Sequence, residues 1–221
     1  PASITDWGPD EPLVVLFSAL SSRTRGTDFA KESRRLKDLI QEMGGPARAM
    51  FGETIDDSNS NSNSNNDKKK NVRIVIETHR FSDYTLEKQI QMASRTAVFI
   101  TFCGGGAITA SFLPKGAAVQ VYYNELGGIE NNKDTSLPAR LDWDFFNNLA
   151  YLHVNWIPSK FSKTRYAAAA AAGNNDNADN GDDYDYDYDY ADNKDANADI
   201  ILKHLRRIYR EREKFYERKT N

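Results

Sequence analysis

Apolar residues fall into five short runs, Leu13 to Phe17, Val72 to Ile76, Ala97 to Phe102, Ala117 to Tyr123 and Tyr151 to Ile157. The first is near-continuous rather than alternating, as expected of a strand covered on both faces of a parallel sheet. Between the five runs the spacing changes to three and four. Leu36, Leu39, Ile40 and Met43 predict a helix over Phe29 to Met43, stopped by Gly44-Gly45-Pro46. Leu86, Ile90 and Ala93 predict one over Thr85 to Ala93, facing inward, and Ala107 to Leu113 reads as a short helix stopped at Pro114. Trp143, Phe146 and Leu149 predict a helix over Asp142 to Ala150, and Pro158 is expected to end the last strand. A long helix, Asn197 to Lys219, carries Ile201, Leu205, Ile208 and Phe215 on one stripe for docking on a sheet face or a partner domain. The alternation predicts an α/β fold: a Rossmann-like, mostly parallel sheet with helices on both faces, plus the C-terminal helix.

Two segments depart from this pattern. Residues 53–70 collapse to Asp, Ser, Asn and Lys, and residues 158–195 to alanines, an Asn/Asp tract and an Asp-Tyr repeat. Lacking apolar residues to offset ordering entropy, they are expected to be a disordered insertion and an acidic linker. The organisation predicted is a domain over 1–157, the linker, and a helix over 196–221. A calcium loop starting at Asp183 is excluded, because its sixth and twelfth positions are Tyr188 and Lys194 instead of Gly and Glu.

Charge changes the picture only locally. Of the net −3, Asn174 to Asp199 contributes −9, which leaves +6 on the rest, compatible with an anionic ligand but not with a nucleic-acid-binding face. Cys103 is the only cysteine, so no internal disulfide and no thiolate metal site can form. Starting at Pro1, the chain reads as a segment of a longer protein.

Candidate chemistry concentrates where strands are predicted to end. The run Ala97 to Phe102 passes into Cys103-Gly104-Gly105-Gly106, and backbone amides at such a turn and helix start suit phosphate oxygens. The glycines equally permit a sharp turn or close helix–strand packing. Arg23 and Arg25 follow the first strand and are candidate pyrophosphate ligands. Glu77-Thr78-His79-Arg80 follows the second, with His79 able to bind phosphate or act as a base; His153 reads as a core or edge residue. Gly104-x-Gly106 with Glu125 also fits half of a dinucleotide fingerprint, with Thr109 in place of its third glycine. The 17-residue stretch Asn124 to Arg140 is long enough for a binding or lid loop.

Several of these motifs together resemble glycosyltransferase family 61: the strand and Ser-Arg loop LVVLFSALSSRTRG, Gln89-Ile90 on a helix, Gly104 and Gly106, then Phe112-Leu113-Pro114 and Gly116. The resemblance spans about 13 to 157, outside the insertion. It implies the C-terminal, donor-binding half of a two-domain GT-B inverting transferase acting in the secretory pathway, in the Golgi or ER lumen. It implies a nucleotide-sugar donor, most often a UDP-sugar, no required metal or other cofactor, a glycan or glycoprotein acceptor, and a missing N-terminal domain. On this reading Cys103, the amides of Gly104, Gly105 and Gly106, and Thr109 hold the pyrophosphate, Arg23 and Arg25 neutralise it, and Gln120 or Glu125 meets the ribose. The chain has Cys103 where the family has His, Gly105 for Ala, Ala107 for Leu and Gln120 for Glu. Two alternatives follow: a catalytically inactive relative that binds a nucleotide or partner, and an NAD-type dinucleotide-binding domain.

Overall fold

A computed structural model describes residues 2–8, 10–19, 29–51, 72–124, 140–159 and 194–220. Five strands, β1 (Leu13–Ala19), β2 (Ile74–Arg80), β3 (Thr96–Phe102), β4 (Ala118–Asn124) and β5 (His153–Ser159), form one all-parallel sheet in the order β2-β1-β3-β4-β5. The α/β, Rossmann-like expectation holds. Every residue of β1 and β3 is buried, which is why both read as unbroken apolar runs. The edge strands are only partly covered, and there the apolar criterion misplaces the ends. β2 continues through Glu77, Thr78, His79 and Arg80, paired with Leu16 to Ala19, so these four are strand residues and do not follow the strand. β5 runs through Pro158, opposite Tyr123, because a free edge tolerates the missing N–H.

Helices α1 (Ala30–Glu42), α2 (Pro46–Phe51) and α5 (Lys194–Thr220) pack together on one face. The 3-10 helices η2 (Phe81–Asp83) and η3 (Gly105–Phe112), with α3 (Leu86–Ser94) and α4 (Arg140–Asn147), belong to the other. Pro46 stops nothing by itself: it starts α2 at the first helical position, where its missing N–H is no loss. In α3 the inward residues are Met92 and Ala93, with Ile90 partly covered, whereas Leu86 is 64% exposed, contrary to the spacing argument. Residues 52–71, 125–139 and 160–193 lie outside the described residues, and with them nearly all of the expected insertion, lid loop and acidic linker. Among the described residues no helix is long and apolar enough to cross a membrane.

The apolar stripe of α5 docks on the sheet, burying Ile201, Leu202, Leu205 and Ile208. Those four side chains are worth on the order of 10 kcal/mol of gross transfer free energy. Its polar residues tie the helix to its neighbours: Arg206 Nε donates to the Ala49 carbonyl at 2.7 Å, and an Arg207 guanidinium nitrogen to that of Gly116 at 2.9 Å. The first residues are no loose lead-in. Ser3 caps the 3-10 helix η1 (Ile4–Asp6), Ile4 is buried, and Ile4 N and Lys115 N bond across to Lys115 O and Ala2 O at 3.0 and 2.8 Å. Arg212, 3% exposed, donates to the carbonyls of Gly8 and Glu11 and lies 5.9 Å from the centre of the Trp7 ring, while the Tyr216 hydroxyl bonds the Trp7 carbonyl.

Arg212→Ala strands these buried carbonyls and empties a packed site, so unfolding by denaturant is expected to show a loss of about 2–4 kcal/mol, with Arg212→Lys recovering only part because an ammonium lacks the planar fork. A pH dependence follows from His204 on α5, whose Nε2 meets the Asn155 side-chain amide of β5. Burial, then the charge of Arg207, lowers its pKa from 6.5 to about 4. The folded protein therefore holds fewer protons than the unfolded chain. This contribution is complete above pH 6.5 and drains away as pH falls toward 4. Denaturation at pH 7 and pH 5 is expected to show wild type losing about 1–2 kcal/mol more than His204→Gln, after allowance for solvent screening.

Candidate ligand-binding crevice

Chain direction across the sheet reverses between β1 and β3, since β1 leads outward to β2 whereas β3 leads to β4 and β5. At such a switch point the connections diverge to opposite faces and leave a crevice beyond the carboxyl ends of the two strands. Residues 20–28, with Arg23 and Arg25, follow Ala19 and lie outside the described residues. The described wall is the glycine turn after Phe102.

The turn is built by the backbone. Cys103 N donates to the Tyr122 carbonyl at 2.9 Å, carrying the β3–β4 ladder one residue past the strand. Gly104 then takes φ 129°, ψ −164°, a conformation open only to glycine, and its carbonyl accepts from Ala107 N at 2.9 Å. A Cβ on Gly104 or Gly105 would meet no atom within 4 Å. Close helix–strand packing is therefore not the reason for these two glycines. Gly104 is required by its torsion angles, and at both the place a Cβ would take is open.

The helix that follows is 3-10 over all eight residues of η3, where an α-helix start was expected at Ala107. Ala118 stands opposite Val98, so the connection must return about 13 Å along the sheet. Eight residues cover about 16 Å as a 3-10 helix but about 12 Å as an α-helix. Thr109 is 6% exposed, turned into the protein with Ala107 and Ala110, while Ile108 is 58% exposed.

Beneath the crevice on the α1 side lies an aromatic floor. The Phe29 ring centre sits 5.6, 6.2 and 5.5 Å from those of Phe17, Phe102 and Tyr122. Phe29 caps α1 with φ 56°, ψ 17°, the one non-glycine in the left-handed region among the described residues. For a bulky side chain that conformation costs about 1–3 kcal/mol, and complete burial of the ring holds it in place. On the opposite face, Ser18 near the end of β1 is 1% exposed and its Oγ has no hydrogen-bond partner among the described residues.

No family model matches the chain, and no curated protein matches it. The geometry must therefore be read by itself. Cys103, Gly104, Gly105 and Gly106 stand together at the crevice mouth, partly or fully exposed. Gln120 is placed elsewhere: it is fully buried in mid-strand, and its amide points toward the Asn197 carbonyl at the start of α5, 3.5 Å away. Glu125 lies outside the described residues.

His79 belongs to a polar chain along β2. Its Nε2 is 3.2 Å from Glu77 Oε2 and its Nδ1 3.1 Å from the Tyr84 hydroxyl, with the two rings edge to face. One Arg95 nitrogen reaches both Glu77 oxygens, at 2.8 and 2.6 Å. Gln89 of α3 donates to the carbonyls of Phe81 and Tyr84 at 2.9 and 3.0 Å, pinning the turn that presents Tyr84. In the sequence Glu77 stands near His79 at the predicted end of the second strand without a role of its own, and Tyr84 and Arg95 were not singled out; the available signal was the alternation of Glu77 and His79 on one face of an edge strand.

The two exposed glycines separate strain from access. Gly104→Ala is expected to destabilise by about 1–3 kcal/mol, whereas Gly105→Ala, free of steric contact, stays near neutral or gains up to about 1 kcal/mol from the lower entropy of its unfolded state. Thermal unfolding of the pair checks the contrast.

Proposed function

We propose that this chain is the nucleotide-sugar-binding half of an inverting glycosyltransferase similar to family 61, moving a hexosyl or pentosyl group, most readily from a UDP-sugar, to a hydroxyl of a glycan or protein. The observation that carries the reading is the position of the glycine turn. It follows β3, one of the two strands between which the sheet order reverses, and space is open where a Cβ would stand on Gly104 or Gly105. A diphosphate seated there meets amides instead of side chains. Arg23 and Arg25, in the segment that follows β1 in the sequence, would supply its counter-charge. Stabilising the departing nucleoside diphosphate in this way is the donor half's share of transfer. The acceptor half would precede this segment, and the site of action would be the Golgi or ER lumen. No metal is required by this reading.

A non-transferring relative is the second reading, favoured by Cys103 at the turn and by the enclosure of Gln120 beneath α5. A thiol and a neutral amide replace the family's imidazole and carboxylate. The NAD-type alternative has less support. Its glycine turn follows the first strand of the fold, whereas here the glycines follow β3, and Thr109 fills the place of the third glycine.

Calorimetric titration with UDP, UDP-sugars, GDP-sugars and NAD tests the proposal. Saturable UDP binding is expected, weakened at least tenfold in Arg25→Ala and in Gly105→Val, whose added side chain would occupy the space left over the turn. Binding of NAD alone would overturn the assignment, and binding of UDP without sugar transfer by the full-length protein would favour the non-transferring relative.

A further inference from the structure

The hydrogen-bonded chain along β2 has the topology of an activated hydroxyl. Arg95 lies at the amino edge of the sheet, just before β3, and fixes the Glu77 carboxylate, which is 18% exposed. A carboxylate can only accept, so His79 carries its proton on Nε2, and in the neutral ring Nδ1 is left to accept from the Tyr84 hydroxyl. Hydroxyl, imidazole and carboxylate thus follow one another at 3.1 and 3.2 Å. A hydroxyl within reach of a base that a third group orients is the signature of an activated oxygen, independent of fold or chain order. Two features show that the hydroxyl end is positioned. Gln89 spends both amide hydrogens on the carbonyls flanking the η2 turn, and Tyr84 stands edge-on to the imidazole, with ring centres 5.5 Å apart. Edge-strand protection alone accounts for the charges on β2 but not for a phenol at the end of the chain. Tyr84 follows the carboxyl end of β2, a strand that lies two strand spacings, about 10 Å, from β3 in the sheet.

We infer that Tyr84, with His79 and Glu77 behind it, is an acid–base site for a hydroxyl-bearing acceptor. The relay stands on its own geometry; its assignment to an acceptor rests on the transfer reading above. In that reaction the acceptor oxygen bonds to the anomeric carbon of the nucleoside-diphosphate sugar while the bond from that carbon to the diphosphate oxygen breaks. The diphosphate leaves with the electron pair. The acceptor proton passes to the Tyr84 oxygen as the phenol's own proton moves to His79 Nδ1, and Glu77 stabilises the imidazolium. Tyr84 is the catalytic residue in this step, while His79 and Glu77 position and relay.

The test does not need the natural substrate. An aryl sulfonyl fluoride labels an activated phenol by forming an S–O bond and releasing fluoride, and peptide mapping reads the rate at each tyrosine. In the wild-type chain Tyr84 is expected to react at least tenfold faster than N-acetyltyrosine amide in the same solution. The rate is expected to fall at least tenfold in His79→Gln, which retains a hydrogen-bond acceptor for Tyr84 but is no base, and in Glu77→Gln. An unchanged unfolding midpoint identifies variants that remain folded. A Tyr84 rate no greater than that of the free phenol in the wild-type chain overturns the relay without recourse to any variant, and so does a rate indifferent to His79→Gln in the folded protein. UDP titration of the wild-type chain separates the two proposals: fast, His79-dependent labelling of Tyr84 in a chain that binds no nucleotide would leave the relay standing and remove the donor reading.

Discussion

Two neighbouring strands with every side chain buried cannot be left with an open face. β1 and β3 meet this condition, and most of the molecule follows from it. One face is closed by α1, α2 and α5, the other by α3, η3 and α4. Because helices leave β1 and β3 toward opposite sides, the same constraint that buries the strands also parts the loops at their carboxyl ends. Cover and crevice are two results of one requirement. The seal over β3 comes from α5, and the gross free energy of its four buried aliphatic side chains is of the order of a domain's whole net stability.

The sheet was legible because its central strands are saturated with apolar residues, and four of the five α-helices among the described residues, all but α2, were legible from their spacing. What was lost lies where burial is partial. Glu77 to Arg80 looked like a loop because an edge strand facing solvent need not be apolar, and Pro158 looked like a stop because the rule applies to strands paired on both sides. Leu86 fitted the inward spacing of α3 and is exposed, since three apolar positions on a nine-residue helix cannot fix its rotation. The Gly104 turn was visible as composition. Its meaning depended on torsion angles and on the emptiness around two absent Cβ atoms, neither of which a sequence states. Gln120 could be aligned with a family residue but not placed, because the helix that covers it starts 74 residues later.

The crevice and the β2 chain divide the chemistry by type of atom. At the glycine turn the chain offers backbone to a ligand, and side chains are minimal. Along β2 it offers a graded series of side chains, cation, carboxylate, imidazole and phenol, with Gln89 holding the last in register. Gln89 therefore links the two descriptions: it belongs to the helix motif on which the expected family resemblance partly rests, and in the fold its work is to shape the turn ahead of Tyr84.

The dependence of the sheet on α5 also has a consequence in time. Val15, Val98 and Ile100 lie on central strands that are made well before residues 194–220. Until that helix leaves the ribosome, one face of the central sheet has no complete cover, and α1 has lost its neighbour. Parallel strands joined across long intervals already form slowly. A nascent chain therefore carries an uncovered apolar sheet from the completion of β5 until α5 is made, and the packing of this sheet is finished only with that helix.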